Sequence, residues 1–560
     1  MKSAAPKDMT DTLPRTTAEP RSASAPRASP LPGLCLALAL TLAVAIRWRL
    51  HALPLERDEG EYAYMGQLLL GGGMPYRDAY NMKFPGTYAA YALAMAAFGQ
   101  TPAGIRTGLI LVNLATSGFV FGLTRKLFSQ AAAIYAAALF LLLSLCPGML
   151  AIMAHATHFV IFFSTLGLWI LVCAVEPRRL RLLFLSGVML GAAVLMKQQG
   201  GFFVLFAMAY VAYQSRGAGW AQPALAVLGG AGLPVAACFL WIAETGAWSP
   251  FWFWTVTYAS RYAGIESWRD GFAILLNTVL GFWPFALPLL LGVAGLVYIL
   301  IRERHRAFVL GAALASCLAI CPGLYFRSHY FIMALPVLAV AGGVLLKGAD
   351  DRIAHFNPGA RLAGAAGILA VLLSPIVVQR NLLLILPLDE VMSRIYGPET
   401  FVPAAAIGEY IRDHSSPEDR IAVFGSEPEI YFYAHRRAAT GYIYTYSLME
   451  PQPFAARMQS QMEGEIERAS PMFLVDVEDT YSWLPWPGSD QTVFQWFNGY
   501  VKGFHAVGVV TLAPKPVITW NPDAHMALPE SQLVIIYERN VPAASSGRPA
   551  RSGPTGPSAA

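Results

Sequence analysis

The sequence predicts an α-helical polytopic membrane protein that ends in a small α/β domain. Three observations predict it. Only 13% of the residues are charged and 56% are hydrophobic, against roughly 25% charged in soluble domains. Apolar runs approaching the ~20 residues that a membrane-crossing helix needs recur across residues 31–380. From residue 381 onward these runs give way to short strand-like and helix-like patterns in alternation.

Residues 1–30 are rich in Ala, Pro, Ser and Arg and predict a disordered cytoplasmic tail. The apolar run Leu31–Ile46 that follows has the look of a signal peptide. Arg47-Trp48-Arg49 is a poor cleavage site, however, and further apolar spans follow, so an uncleaved first transmembrane helix is expected. The expected spans are Leu31–Leu50, Ile105–Leu123, Ala131–Leu150, Phe159–Val175, Leu182–Leu195, Phe202–Tyr213, Ala224–Ala243, Phe272–Ile301, Phe308–Tyr325, Tyr330–Leu346 and Leu362–Val378. That makes about eleven, with Phe84–Phe98 a further apolar stretch inside a first outer loop over residues 50–104. Lys and Arg fall in every second loop, at Arg125-Lys126, Arg178–Arg181, Arg302–Arg306 and Lys347–Arg352, which marks those loops as cytoplasmic. The first loop also carries Arg57, Arg77 and Lys83, but mixed with acids, so the later loops set the orientation.

Residues 381–540 predict an α/β domain outside the cytoplasmic membrane. Its expected helices are Pro403–His414, Glu429–His435 and Ala455–Arg468, and its expected strands Arg420–Gly425, Met472–Val477, Val507–Leu512 and Gln532–Tyr537. Residues 541–560, rich in Ser, Gly, Pro and Ala, predict a disordered tail. The net charge of +5 comes with no zinc-finger, zipper or basic-stripe pattern, which excludes nucleic acid as a partner. All six cysteines lie in or beside apolar runs and show no metal-ligand or disulfide spacing.

The informative stretch is Arg57-Asp58-Glu59-Gly60-Glu61-Tyr62, just after the first span. Acids at a membrane boundary are costly to desolvate, so three together point to function. Pro75-Tyr76-Arg77-Asp78 and Lys83-Phe84-Pro85-Gly86 follow in the same loop. The bland alternative for Asp58 is a solvated acid at a helix N-terminus. For Lys83 it is a snorkelling interfacial lysine, and for Tyr62 and Tyr76 membership of the interfacial aromatic belt. Glu61 reads as a solvated helix residue.

This loop resembles that of the polytopic membrane glycosyltransferases of the C-type fold. It is similar in particular to bacterial relatives of the dolichyl-phosphate-mannose protein mannosyltransferases and to the lipid A aminoarabinose transferase. The matching residues are Asp58-Glu59-Gly60-Glu61-Tyr62-Ala63, Gly73-Met74-Pro75-Tyr76-Arg77-Asp78 and Lys83-Phe84-Pro85-Gly86. The match is specific over residues 57–99 and vague elsewhere. It implies a transferase that moves a hexose or pentose from a polyprenyl-phosphate donor to a lipid, glycan or protein acceptor. The reaction would run at the outer face of the cytoplasmic membrane, among membrane lipids. Asp58 would then be the catalytic base, with Glu59 capping the helix or orienting it. Lys83 would hold the donor phosphate, helped by Lys197, which resembles a recurrent family lysine.

Arg327, whose fork suits phosphate, is a third candidate phosphate ligand. Tyr62, Tyr76, Asp78, His158 and His329 are candidate substrate contacts. One departure stands out. Relatives often carry a second acid between the third and fourth spans, whereas this chain reads Met153-Ala-His155-Ala-Thr157-His158-Phe159. His158 is expected in that role, or the second acid is dispensable. No cofactor is certain, and a divalent metal ion stays open. The segment from Phe424 to Phe432 carries no nucleotide fingerprint or catalytic triad and implies a structural or acceptor-gripping role. The rival function is a transporter or flippase of a lipid-linked saccharide. It is disfavoured because the charges gather in one outer loop and no paired halves are evident.

Overall fold

The computed structural model describes residues 29–215, 219–397, 401–512, 515–522 and 533–540. The predicted tails, apart from residues 29 and 30, lie outside them. The first part of the chain is a helical bundle. Its opening helices are α1 (Leu31–Leu50), α2 (Arg57–Leu70), α3 (Gly86–Phe98), α4 (Pro102–Leu127), α5 (Gln130–Leu143), α6 (Ala156–Ala174), α7 (Leu180–Met196), α8 (Gly201–Gln214) and α9 (Ala221–Glu244). Among the described residues, seven helices are long and apolar enough to cross a membrane, and four more apolar helices are shorter. α5 packs between α1 and the helix Leu335–Ile353, while α7 lies between α6 and α9.

Two predicted spans are broken. Phe272–Ile301 is two helices, Trp268–Leu280 and Ala286–Arg302, separated by a turn at Gly281–Phe285. Pro284 has no N–H for a continuous helical ladder. The first of the pair exposes Trp268, Phe272, Leu276 and Leu280, an apolar stripe at helical spacing. Likewise Ala131–Leu150 stops as a helix at Leu143 and turns through the 3₁₀ segment Pro147–Met149.

The C-terminal part is built on one six-stranded sheet. Its strands are β1 (Arg420–Phe424), β2 (Arg437–Ala438), β3 (Phe473–Val477), β4 (Phe504–Thr511), β5 (Val517–Trp520) and β6 (Leu533–Arg539), in the order β2-β1-β3-β6-β4-β5. β1 runs parallel to β2 and β3, and the remaining neighbours are antiparallel. β3 is buried along its whole length, as expected for a central strand covered on both faces. β2 and β5 were not expected: one is two residues long, and the other is four residues that alternate between exposed and half-buried.

This domain grips α2. The helix Glu429–Ala434 packs directly on it. At Gly60 a side chain would stand 2.7 Å from both the backbone nitrogen and Cβ of Glu429, so only glycine permits the approach. Leu55 N–H donates to Tyr433 Oη at 3.0 Å, and Ala438 N–H to Tyr64 Oη at 2.8 Å.

Candidate active site

Asp58 sits in the first turn of α2, whose start is set by Glu56. The Glu56 carboxylate accepts from the N–H groups of Asp58 (3.0 Å) and Glu59 (2.8 Å), and acids in this turn are favoured by the helix dipole. Because 58 and 61 are three residues apart, Asp58 and Glu61 share one helix face. Lys83 meets that face. Its Nζ lies 3.1 Å from Asp58 Oδ1 and 2.7 Å from Glu61 Oε2, and 4.5 Å above the Tyr62 ring. Tyr88 Oη donates to the other Glu61 oxygen at 3.0 Å.

The Lys83 turn is tied to the end of α7. Thr87 Oγ1 donates to the Met196 carbonyl and Gln198 Nε2 to the Met82 carbonyl, each at 2.8 Å. Lys197, next in the chain, is thereby brought to the same space, with its ammonium 3.8 Å from the Tyr330 ring centroid. These groups open on a cavity of about 620 Å³ lined also by Arg327 and His329 and, from the C-terminal domain, by Tyr442, Tyr444, Tyr446 and Glu450.

Burial and charge set the protonation states. Burial alone would raise the Asp58 carboxyl, but the charge of Lys83, followed by His329 and His155, holds it well below the usual range. Burial pulls Lys83 down, and Asp58 with Glu61 more than reverses this. Glu61 is pushed up by burial. Lys197, buried and repelled by Lys83, falls to about 7. Burial lowers His155 to about 4.

The second Asp58 oxygen faces two histidines, with His155 Nδ1 at 3.8 Å and His329 Nε2 at 4.0 Å. The two rings stack with centroids 4.2 Å apart. One ligand atom from each of the three residues lies within 4.8 Å of the others. Both ring nitrogens of the buried His155 lack a hydrogen-bond partner. An orphaned imidazole beside a carboxylate fits a divalent cation of the zinc type, for which His and Asp are ordinary ligands.

The structure sorts the predicted residues. Asp58, Lys83, Lys197, Arg327 and His329 line the cavity. Glu59 does not: fully buried, it pairs with Arg106 and accepts from Ala154 N–H at 2.6 Å, away from the cavity. His158, expected in the role of a second acid, is also turned away, whereas His155, at the N-cap of α6, lines the cavity. Tyr62 lies beneath Lys83, and Tyr76 supports the same loop through a 2.7 Å hydrogen bond to the Lys83 carbonyl. Asp78 accepts from Met74 N–H (2.8 Å) and pairs with Arg77. Glu61, read as solvated, is fully buried in the ion cluster. Its three-residue spacing from Asp58, which puts both acids on one helix face, is a signal that could have found it. Tyr444, Tyr446 and Glu450 carried no local signal, since only folding brings them there.

Residues 83–243 match the family model of the dolichyl-phosphate-mannose-protein mannosyltransferases. Asp58 lies just outside that match. No curated protein sequence matches the chain. Among solved structures, ArnT from Cupriavidus metallidurans bound to undecaprenyl phosphate aligns at 17% identity and a TM-score of 0.58, covering 88% of this chain and 98% of that one. The apo state of the same protein aligns at 18% identity and 0.57, covering 90% and 97%. An Archaeoglobus fulgidus oligosaccharyltransferase tethered with an acceptor peptide aligns at 15% identity and 0.49, covering 88% and 74%. The chain therefore shares the fold of the C-type membrane glycosyltransferase superfamily and matches its dolichyl-phosphate-mannose-protein mannosyltransferase family over residues 83–243.

Proposed function

We propose that this protein is a membrane glycosyltransferase that moves a hexose or pentose from a polyprenyl-phosphate donor to an acceptor at the outer face of the cytoplasmic membrane. The observation that carries this reading is the Asp58–Lys83–Glu61 cluster, opening on a large cavity that also presents Lys197 and Arg327. The family matched over residues 83–243 and the ArnT fold, solved with undecaprenyl phosphate, support it.

Lys83, Lys197 and Arg327 hold the donor phosphate and offset the negative charge that builds on it as it departs. Asp58 orients the acceptor hydroxyl. With Lys83 shared between two carboxylates, Asp58 is a weak base. A bound phosphate draws the ammonium toward itself, and Asp58 regains affinity for a proton. The acceptor oxygen then bonds to the anomeric carbon, the bond from that carbon to the phosphate oxygen breaks, and polyprenyl phosphate leaves with the electron pair. The acceptor proton passes to Asp58. A divalent ion held by Asp58, His155 and His329 would add positive charge at this point. Glu61 keeps Lys83 charged, and Glu59 anchors α2 through Arg106.

The test is a strain lacking the gene, complemented with wild type or Asp58→Asn, with mass spectrometry of envelope glycans and lipids. Wild type restores a glycan that the deletion lacks. Asp58→Asn accumulates normally but lowers transfer by about 10²–10⁴-fold. Full activity in that variant removes Asp58 from the reaction.

A further inference from the structure

Beside the main cavity lies a second chamber of about 280 Å³, at the seam between the outer turns of the bundle and the C-terminal domain. Its volume sits near the low end of the roughly 300–1,000 Å³ typical of small-molecule pockets. Tyr262, Arg327, Tyr446 and Glu450 line both spaces, so the two adjoin. The chamber's own wall is chemically mixed. Tyr262 and Tyr325 stack with centroids 4.4 Å apart, and the Arg327 guanidinium lies 5.4 Å above the Tyr325 ring. Trp486 comes from the C-terminal domain, and Glu266 and Glu450 add carboxylates. Glu450 is held in place by a hydrogen bond from Tyr258 Oη.

We infer that this chamber is an acceptor subsite for a sugar residue, and so that the acceptor is a glycan. This rests on the glycosyltransferase reading. A pyranose ring has an apolar C–H face and an edge of hydroxyls. Flat aromatic rings cover the first, while carboxylates and a guanidinium take up the second. The two carboxylates disfavour a phosphate-rich acceptor, and the interruption of the apolar wall by three charged groups disfavours a lipid tail. Arg327 and Glu450, shared by both spaces, set the chamber directly beside the cavity that Asp58 lines.

Saturation-transfer NMR on the full chain in nanodiscs tests this. The probes are methyl α-mannoside, methyl β-galactoside and N-acetylglucosamine at millimolar concentration, with undecaprenyl phosphate binding measured in parallel. At least one sugar is expected to show saturation, and both Trp486→Ala and Glu450→Gln to cut it about fivefold. Trp486 is partly exposed, so the thermal midpoint of its variant reports an intact fold. The inference is overturned if no probe saturates while undecaprenyl phosphate binds, or if saturation is equal in wild type and both variants. If undecaprenyl phosphate fails to bind but Trp486-dependent saturation persists, the glycosyltransferase reading falls and the chamber stands as a sugar site.

Discussion

Replacing Lys83 with Met tests the ion cluster directly. The substitution keeps the length of the side chain and removes its charge. Asp58 retains some solvent, with 19% of its side chain exposed, but Glu61 has none. Removing one partner from a buried pair costs about 3–5 kcal/mol when the other stays ionised. Glu61 can avoid that cost by taking up a proton, because burial already raises it above its ordinary range. The sign follows from linkage. An acid whose folded pKa is raised contributes stability while it is protonated, and loses it as pH rises through that folded pKa. The variant should therefore be near wild type in mild acid and fall behind by up to about 1.4 kcal/mol per pH unit above that. Thermal unfolding followed by tryptophan fluorescence across the pH range measures this. Glu61→Gln in the Lys83→Met background should abolish the slope. A midpoint for Lys83→Met that tracks wild type at every pH would refute the argument that Lys83 neutralises a buried carboxylate.

Lys197, with its pKa lowered to about 7, should take up a proton when a phosphate binds. Affinity for a polyprenyl phosphodiester, whose own charge is constant in this range, should fall by up to about tenfold per pH unit above 7, and Lys197→Gln should flatten that dependence in a pH-resolved binding titration. The Asp58, His155 and His329 group should bind one zinc ion per chain in a chelator-competition titration. His155→Ala and His329→Ala should each weaken that binding at least about tenfold, and stoichiometric binding unchanged in both would show the ion sits elsewhere.

Much of the bundle was legible because lipid imposes a simple rule: long apolar runs become helices that satisfy their own backbone. The rule fails where a run carries its own break. Gly281 and Pro284 interrupt Phe272–Ile301 despite continuous hydrophobicity. At the site, Asp58, Lys83 and Lys197 were legible from their loop positions, and the structure gathers them around one cavity. Glu61 was not, since an acid on an amphipathic helix ordinarily faces water, and here Lys83 and Tyr88 cover it. His155 and His158 are equally plausible by spacing. The cap position turns one toward Asp58 and the helix carries the other into the bundle. The contribution of residues 442–450 depends on contacts between distant parts of the chain, which no local pattern encodes.

Arg57, the residue before Asp58, donates to Glu427 Oε1 at 2.9 Å and to the Ser426 carbonyl at 2.7 Å. Some 370 positions separate these partners in the chain. The helix that bears Asp58 is among the first elements synthesised, yet the groups that clasp its N-terminus emerge from the ribosome near the end. A partly translated chain thus carries its acidic loop unclasped, and the cavity beside Asp58 is completed only when the last domain closes over it.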